Sequence, residues 1–288
     1  MNASPLPLAP VVDAGWLGEH RAETVLADVR WYPDGRSGHD AHLAGHLPGA
    51  VWVDVDTVLS APPDGTGGRH PLPGPAAFAR ALGALGIGHD TTVVAYDDNG
   101  GAYAARLVWL LRRTGQPAAL LDGGLAAWPG ALETGPVTRD PVERTPVDWP
   151  RDLLRSADEV ARAAAGTAVV LDARAPGRYS GADVLPTDVR SGHIPGARSA
   201  PWSANLSADG TFAPPEQLAA HYAALGARPG TEVIVYCGSG VTACHDLLAL
   251  ELAGMDTAAL YPGSWSAWSA EPARPVATGP DDGPPPGR

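Results

Sequence analysis

The chain contains little cysteine, which narrows the kinds of site it can hold. Its 288 residues include only two cysteines, Cys237 and Cys244. Two thiols seven positions apart do not make the disulfide framework of a small secreted domain, and no Cys/His cluster has the spacing of a zinc site. We therefore expect a reducing compartment and no bound metal.

Positive charge and long apolar runs are scarce as well. Lys and Arg number 20 against 32 Asp and Glu, and the net charge of −12 disfavours a nucleic-acid partner. No apolar run reaches the length of a membrane span, and the opening residues M-N-A-S-P-L-P-L-A-P lack the basic segment of a secretory signal. These shortages predict a cytoplasmic protein without membrane contact, which we expect to be a monomer.

What the chain does contain is a repeat. Four sequence motifs occur twice in the same order, at offsets of 140 to 147 positions. The first two pairs are A-D-V-R around Asp28 with L-D-A-R around Asp172, and H-L-P-G-A from His46 with H-I-P-G-A from His193. The other two are V-V-A-Y-D ending at Asp97 with V-I-V-Y-C ending at Cys237, and two segments that end at Trp128 and Trp268. Such a series indicates a duplicated domain. Because Cys237 is a nucleophile and Asp97 is not, the second copy is predicted to be active and the first inert.

Each half alternates short apolar runs with helical segments, which predicts an α/β fold with a mainly parallel sheet flanked by helices. We predict strands at 91–96, 118–121, 168–171, 231–236 and 258–261, and helices at 103–113, 215–225 and 241–253. We place the first domain at 1–135, a linker at 136–151, the catalytic domain at 152–279 and a disordered tail at 280–288. The first half also carries an extra Gly/Pro-rich loop between Ser60 and Pro75.

The segment C-G-S-G-V-T-A, which begins at Cys237, is where we expect the chemistry. It joins a buried strand to a helix, so backbone N–H groups and the helix N-terminus converge on the thiol and favour the thiolate. Gly238 and Gly240 permit tight turns, and the hydroxyls of Ser239 and Thr242 are candidates for bonds to substrate or sulfur. The alternative is a buried structural cysteine.

A phosphatase also uses a cysteine in such a loop, with an Arg six residues later to clamp the phosphate. The sixth position after Cys237 is Ala243, and the next Arg along the chain is Arg274. Phosphate chemistry is therefore not expected.

Taken together, these motifs resemble the two-domain rhodanese family. The resemblance rests on the paired H-[IL]-P-G-A motifs, the C-G-S-G-V-T-A loop, L-L-D-G-G-L-A-A-W, and Y-P-G-S-W-S-A-W followed by P-V-A-T-G, and it covers about Asp13 to Gly279. That family contains thiosulfate and 3-mercaptopyruvate sulfurtransferases. It implies two tandem rhodanese-like domains, of which the second forms a persulfide on Cys237.

The resemblance also implies residues that bind the substrate. Gly-Ser-Gly after the cysteine is typical of the mercaptopyruvate enzymes, whereas thiosulfate enzymes place basic residues there. The loop residues expected to hold the persulfide are Gly238, Gly240, Val241 and Thr242. Arg178 matches an Arg that binds the substrate carboxylate, with a surface or inter-domain salt bridge as the alternative. A second such Arg has no clean match, and Arg190 lies a few positions away.

The first half supplies further candidates. His46 matches a His of a Ser–His–Asp relay, in which Ser239 would be the hydroxyl and Asp40 the acid. The alternative is a turn-stabilising role, because H-x-P-G-A occurs in both copies. Arg69 and His70 in the extra loop would bring a cation to an anionic substrate, or would form a solvated loop tip.

The helix after the loop carries the second thiol. Cys244 is predicted to pack on the sheet, with a resolving-thiol role as the alternative. His245 and Asp246 are placed on the polar side of the same helix, without a catalytic role.

The resulting hypothesis is a sulfurtransferase with a ping-pong cycle. The Cys237 thiolate takes the sulfur of a small-molecule donor, 3-mercaptopyruvate, and the persulfide passes it to a thiol or cyanide acceptor. No metal or organic cofactor is required. Two alternatives stay open: thiosulfate as the donor, and a non-catalytic persulfide carrier that delivers sulfur to a protein.

Overall fold

The computed structural model describes residues 8–282, which form two compact units. The first unit comprises the chain up to Leu59 together with Pro73–Trp149, and the second comprises Ser60–Leu72 and the chain from Pro150 onward. The extra loop of the first half therefore packs with the second unit.

The elements of the first unit are β1 (Val11–Val12), α1 (Ala14–His20), β2 (Thr24–Asp28), α2 (Gly38–Ala44), β3 (Val51–Trp52), α3 (Pro75–Ala84), β4 (Thr92–Tyr96), α4 (Ala104–Arg113) and β5 (Ala118–Leu121). The five strands form a fully parallel sheet in the order β1-β5-β4-β2-β3.

The elements of the second unit are α5 (Ala157–Ala164), β6 (Val169–Asp172), α6 (Pro176–Ser180), β7 (Ala197–Ser199), α7 (Pro215–Ala224), β8 (Val233–Tyr236), α8 (Ala243–Leu252), β9 (Ala259–Leu260) and α9 (Ser264–Ala270). The four strands form a parallel sheet in the order β7-β6-β8-β9. A parallel bridge from Leu154 to Leu260 takes the place that β1 has beside β5.

The two units share details of their cores as well as topology. In each, an aspartate at the end of a central strand binds the Arg two residues later, with Nη2–Oδ2 distances of 2.6 Å for both Asp28–Arg30 and Asp172–Arg174. Both pairs are buried, and a buried ion pair needs several hydrogen bonds to offset desolvation. Each Arg also donates to a backbone carbonyl at 2.7 Å. The structure thus confirms the duplication at the level of single side chains.

The central strands are apolar on both faces because helices cover the sheet on both sides. Every residue of β8, V-I-V-Y, is buried, and so is every residue of β6. The predicted strands and helices lie within two residues of the observed ones, and the α/β fold class is confirmed.

The domain limits differ from the prediction in two places. Most of the predicted linker packs on the first unit: the indole of Trp149 donates to the carbonyl of Pro73 at 2.8 Å and its ring lies 5.2 Å from that of Phe78. At the predicted tail, the carbonyl of Asp282 accepts the N–H of Gly196 at 2.7 Å, and residues 283–288 lie outside the described part. Across residues 8–282, the helices are too short or too polar to cross a membrane.

Candidate active site

Cys237 follows β8 directly, where the chain turns toward α8, and only 1% of it is exposed. The backbone N–H of Gly240 donates to its Sγ at 3.1 Å. Gly240 has a φ of +79°, in the left-handed region that favours glycine. The residue type at this position therefore permits the turn that directs the N–H at the sulfur.

The N-terminal turn of α9 fixes the loop from the other side. The Cys237 N–H donates to Ser264 Oγ at 3.1 Å, and the Trp265 N–H donates to the Cys237 carbonyl at 2.9 Å. Ser264 has a φ of +52°, the one non-glycine residue with positive φ among residues 8–282. Such backbone strain is retained where surrounding contacts enforce it, frequently at functional sites. Sequence reasoning gave no role to Ser264.

The equivalent loop of the first unit shows what this local structure binds. Asp97 follows β4 as Cys237 follows β8, and it is fully buried. Its carboxylate accepts backbone N–H bonds of 2.8 to 3.0 Å from Asn99, Gly101, Tyr103 and Ala104. Burial raises the pKa of Asp97, and the four donors oppose that rise. A strand-to-helix loop of this kind is therefore a cradle for an anionic atom.

Ser239 pairs with a histidine of the extra loop. Its Oγ lies 2.7 Å from Nδ1 of His70, and Ser239 is buried in the loop two residues after Cys237. The pair gives the cysteine loop a hydroxyl and an imidazole in hydrogen-bond contact, the arrangement needed for proton transfer. The sequence signal was the Arg-His pair in the extra loop, although His70 was assigned no partner there.

His46, expected in a relay, has a structural environment instead. It is fully buried, its Nδ1 lies 2.8 Å from the carbonyl of His42, and the two rings stack at 4.0 Å. His193, the counterpart in the second unit, repeats this with Tyr179, at 2.9 Å to the carbonyl and 3.8 Å between rings. The two H-x-P-G-A histidines therefore stabilise equivalent turns, which was the alternative interpretation.

Asp40 does not complete a relay with His46. It lies in the first turn of α2 with an exposed side chain, and its N–H is capped by Ser37 Oγ at 3.0 Å. Neither ring nitrogen of His46 bonds its carboxylate, because Nδ1 contacts a carbonyl and Nε2 has no hydrogen-bond partner in the described part of the chain. The predicted Asp40–His46 relay is thus corrected.

Two predicted cationic residues do meet at the cysteine loop. A methyl group placed on Gly238 would lie 3.1 and 3.2 Å from Nη2 and Nη1 of Arg178, and 3.2 Å from Nη2 of Arg69. The two guanidinium groups share a carboxylate, that of Asp188, at 2.8 Å from Arg178 and 3.2 Å from Arg69. Nε of Arg178 is buried and has no hydrogen-bond partner within residues 8–282.

Arg190, the other Arg predicted to bind the substrate, is occupied elsewhere. Its guanidinium donates to four backbone carbonyls at the end of α9, those of Trp268, Ser269, Glu271 and Arg274, at 2.7 to 3.1 Å. Four of its five N–H donors are thereby used. Arg190 caps the C-terminus of α9, and the interpretation as a substrate ligand is replaced by this role.

Val241 and Thr242 contribute through their backbone. The carbonyl of Val241 accepts the Cys244 N–H and that of Thr242 accepts the His245 N–H, both at 3.1 Å. These bonds start α8 directly behind the cysteine loop, so the N-terminus of the helix faces the site.

Two polar residues near the start of α8 are buried, contrary to expectation. Cys244 packs as predicted, with its Sγ 3.5 Å from the carbonyl of Gly240. His245 and Asp246, however, are fully buried rather than on a polar face. Asp246 Oδ1 accepts the side-chain amide of Asn205 at 2.7 Å, and burial raises the pKa of Asp246 well above its ordinary value. Helical periodicity missed this because α8 is covered on all sides.

The described residues hold no cluster of three or more His, Cys, Asp or Glu side chains suited to a metal ion. The chemistry that they support is that of a buried thiol, a Ser–His pair and two guanidinium groups.

Comparison with known proteins places the chain in a family. A family model described as Rhodanese-like domain matches the chain twice, at residues 13–131 and 156–271. The chain therefore belongs to the rhodanese-like family, as a tandem member with one cysteine-bearing and one aspartate-bearing domain. The resemblance drawn from the sequence motifs is confirmed.

Individual relatives are sulfurtransferases, which confirms the predicted enzyme class. A probable 3-mercaptopyruvate sulfurtransferase of Pseudomonas aeruginosa is 46% identical over 89% of this chain and 93% of its own length. A putative thiosulfate sulfurtransferase of Mycobacterium tuberculosis is 43% identical over 88% of this chain and 90% of its own length. The crystal structure of a 3-mercaptopyruvate sulfotransferase from Escherichia coli matches with a TM-score of 0.77 and 32% identity, over 90% of this chain and 99% of that one.

Proposed function

We propose that this protein transfers sulfur from 3-mercaptopyruvate to a thiol or cyanide through a persulfide on Cys237. One observation carries the proposal: the guanidinium of Arg178 lies beside Gly238, the residue that follows Cys237, and its Nε has no hydrogen-bond partner among residues 8–282. A buried, unpaired guanidinium N–H favours an anionic ligand such as a carboxylate.

In the first half-reaction, the Cys237 thiolate attacks the sulfur of mercaptopyruvate. A sulfur–sulfur bond forms, the carbon–sulfur bond breaks, and its electron pair goes to the carbon, which becomes the enolate of pyruvate. The proton that was on the mercaptopyruvate thiol ends on the methyl group of pyruvate. The products are pyruvate and an anionic Cys237 persulfide, so atoms and charge balance.

Two features of the loop support these steps. The N–H of Gly240, which donates to Sγ at 3.1 Å, stabilises negative charge on sulfur. The hydrogen bond between Ser239 and His70 supports a route for the proton, since a hydroxyl and an imidazole in contact can exchange it. In the second half-reaction an acceptor thiolate or cyanide takes the outer sulfur and returns Cys237 to the thiolate.

Thiosulfate is the second candidate donor, and the observation in its favour is Arg69. This residue adds a second guanidinium beside Gly238, and thiosulfate carries two negative charges. The carboxylate of Asp188 between the two guanidinium groups offsets one of those positive charges, which is why we prefer mercaptopyruvate.

The test compares both donors with the purified chain, with cyanide as acceptor. We expect a higher kcat/KM for mercaptopyruvate than for thiosulfate, and no turnover of either by Cys237→Ser. After donor treatment without acceptor, intact-mass analysis should show one added sulfur, on the peptide that contains Cys237. Sulfur on Cys244 would contradict the assignment of the nucleophile. A persulfide that forms but does not turn over would favour the carrier alternative.

We also propose that the donor and acceptor are small molecules and that the protein works as a cytoplasmic monomer. The acidic composition, which disfavours a nucleic-acid partner, supports these expectations.

A further inference from the structure

A nearly buried acid lies between the two guanidinium groups of the proposed donor site. The side chain of Asp188 is 3% exposed, whereas those of Arg178 and Arg69 are 19% and 29% exposed. Arg178 Nη2 donates to both carboxylate oxygens, at 2.8 and 3.1 Å, and Arg69 Nη1 donates to one of them at 3.2 Å. Arg69 also donates to the carbonyl of Thr187 at 3.1 Å, so the acid and its neighbour hold both cations.

The charge of this cluster matters because it adjoins the nucleophile. Both guanidinium groups lie against Gly238, the residue after Cys237. Two cations and one carboxylate leave a net charge of about one at a site from which bulk water is partly excluded, where Coulomb interactions are stronger than in water. Without the carboxylate the net charge would be about two.

We propose that Asp188 is the residue that sets the choice between monoanionic and dianionic sulfur donors. It acts through Arg69 and Arg178 rather than by touching the donor, and is therefore a selectivity residue, not a catalytic one. By neutralising one guanidinium charge it matches the site to a donor with one carboxylate and disfavours a donor of charge −2. This inference rests on the proposed function for the identity of the two donors.

Asp188→Asn preserves the shape of the side chain and removes its charge, so its effect on the two donors can be predicted quantitatively. Electrostatic stabilisation scales with the charge of the ligand, so the dianion gains twice the free energy that the monoanion gains. If kcat/KM for mercaptopyruvate rises by a given factor, that for thiosulfate should rise by the square of that factor. We expect the ratio of thiosulfate to mercaptopyruvate kcat/KM to increase roughly fivefold or more.

Two further variants separate charge from fold. Arg69→Gln removes one cation and should lower the ratio, and the double variant Arg69→Gln/Asp188→Asn restores the original net charge and should return the ratio to near its starting value. Asp158→Asn is the matched control: this carboxylate also pairs with an Arg of the second unit, Arg274 at 2.7 Å, but is 74% exposed. It should leave the ratio unchanged.

The measurement that decides is the rate of Cys237 persulfide formation in a single turnover with each donor, followed by intact mass. It needs no acceptor, so it applies even if the protein proves to be a carrier. A wild-type preference for thiosulfate would refute the proposed donor while the shift on Asp188→Asn still tests this inference. An unchanged or lower ratio in Asp188→Asn, or a double variant that does not revert, would overturn it.

Discussion

At the scale of single residues, the partner of each arginine determines its role. Arg174 forms a buried ion pair with Asp172, and Arg30 forms the equivalent pair in the first unit. Both arginines therefore have a structural role. The guanidinium of Arg190 donates four hydrogen bonds to backbone carbonyls. Arg178 has a carboxylate partner and a buried Nε without a hydrogen-bond partner among residues 8–282, and its Nη atoms lie beside Gly238. A buried donor of this kind is available to a ligand, because it has no protein partner to give up.

This contrast predicts opposite phenotypes for two arginine-to-glutamine changes. Arg178→Gln should lower kcat/KM for mercaptopyruvate by roughly 30–150-fold, because a charge-assisted bond to the donor carboxylate is lost. Arg190→Gln should instead lower the free energy of unfolding by about 2–3 kcal/mol, since the carbonyls that end α9 lose their donors. Donor kinetics and urea unfolding of both variants test this. Equal losses of activity in the two would contradict the assignment.

At the scale of elements, α8 is a helix whose polar residues His245 and Asp246 are buried. Its start forms the back of the cysteine loop, and its first eight residues are buried, including Asp246. Tyr222 of α7 donates to the amide oxygen of Asn205 at 2.9 Å, and the amide nitrogen of Asn205 donates to Asp246 at 2.7 Å. A hydrogen-bonded chain of side chains thus fixes the base of the site.

Asp246→Asn should make stability less dependent on pH. Burial raises the pKa of Asp246 well above its ordinary 3.8, so the folded state keeps a proton that the unfolded state releases. As the pH rises above about 4, the wild-type free energy of unfolding should therefore fall relative to that of the variant, by about 1.4 kcal/mol per pH unit until the folded acid ionises.

Urea unfolding at pH 5, 6 and 7 measures the trend, with Asp209→Asn as control. Asp209 is fully exposed and its pKa is lowered by bonds from Thr211, so its removal should not produce a trend of that sign. A stability difference between wild type and Asp246→Asn that does not change with pH would show that Asp246 is ionised in the folded protein.

The strands and the cysteine loop were predictable because local signals fix them. Apolar runs ending at Asp97 and Cys237, and the glycine at position 240, determine strand, turn and nucleophile within a few residues. The partners of the site were not predictable, because they depend on which segments meet in three dimensions. His70 and Arg69 lie more than 160 positions before Ser239 and Gly238 in the chain, and no local pattern links them.

At the scale of the whole molecule, duplication has produced two copies that share an anion cradle and differ in chemistry. In the first unit the cradle is filled by the chain's own carboxylate, Asp97, with four N–H donors. In the second unit, the shorter side chain of Cys237 leaves room in the cradle. On the proposed function, the transferred sulfur occupies that room until an acceptor takes it. On the proposed function, the first unit is thus a permanently occupied version of the second.

Asp97→Cys should therefore not create a second active site. Asp98 occupies the position of Gly238 and would repel an anionic donor, and its carboxylate is held by the hydroxyl of Tyr32 at 2.6 Å. The N–H groups that bind the two oxygens of Asp97 would lose a charged acceptor, so the variant should also be less stable by about 1–3 kcal/mol. After treatment with donor, the variant should gain one sulfur, and Asp97→Cys/Cys237→Ser should gain none. Because the cradle is present in both units, sulfur on position 97 would mean that the cradle alone suffices to form a persulfide, and that the two guanidinium groups beside Gly238 are dispensable for donor binding.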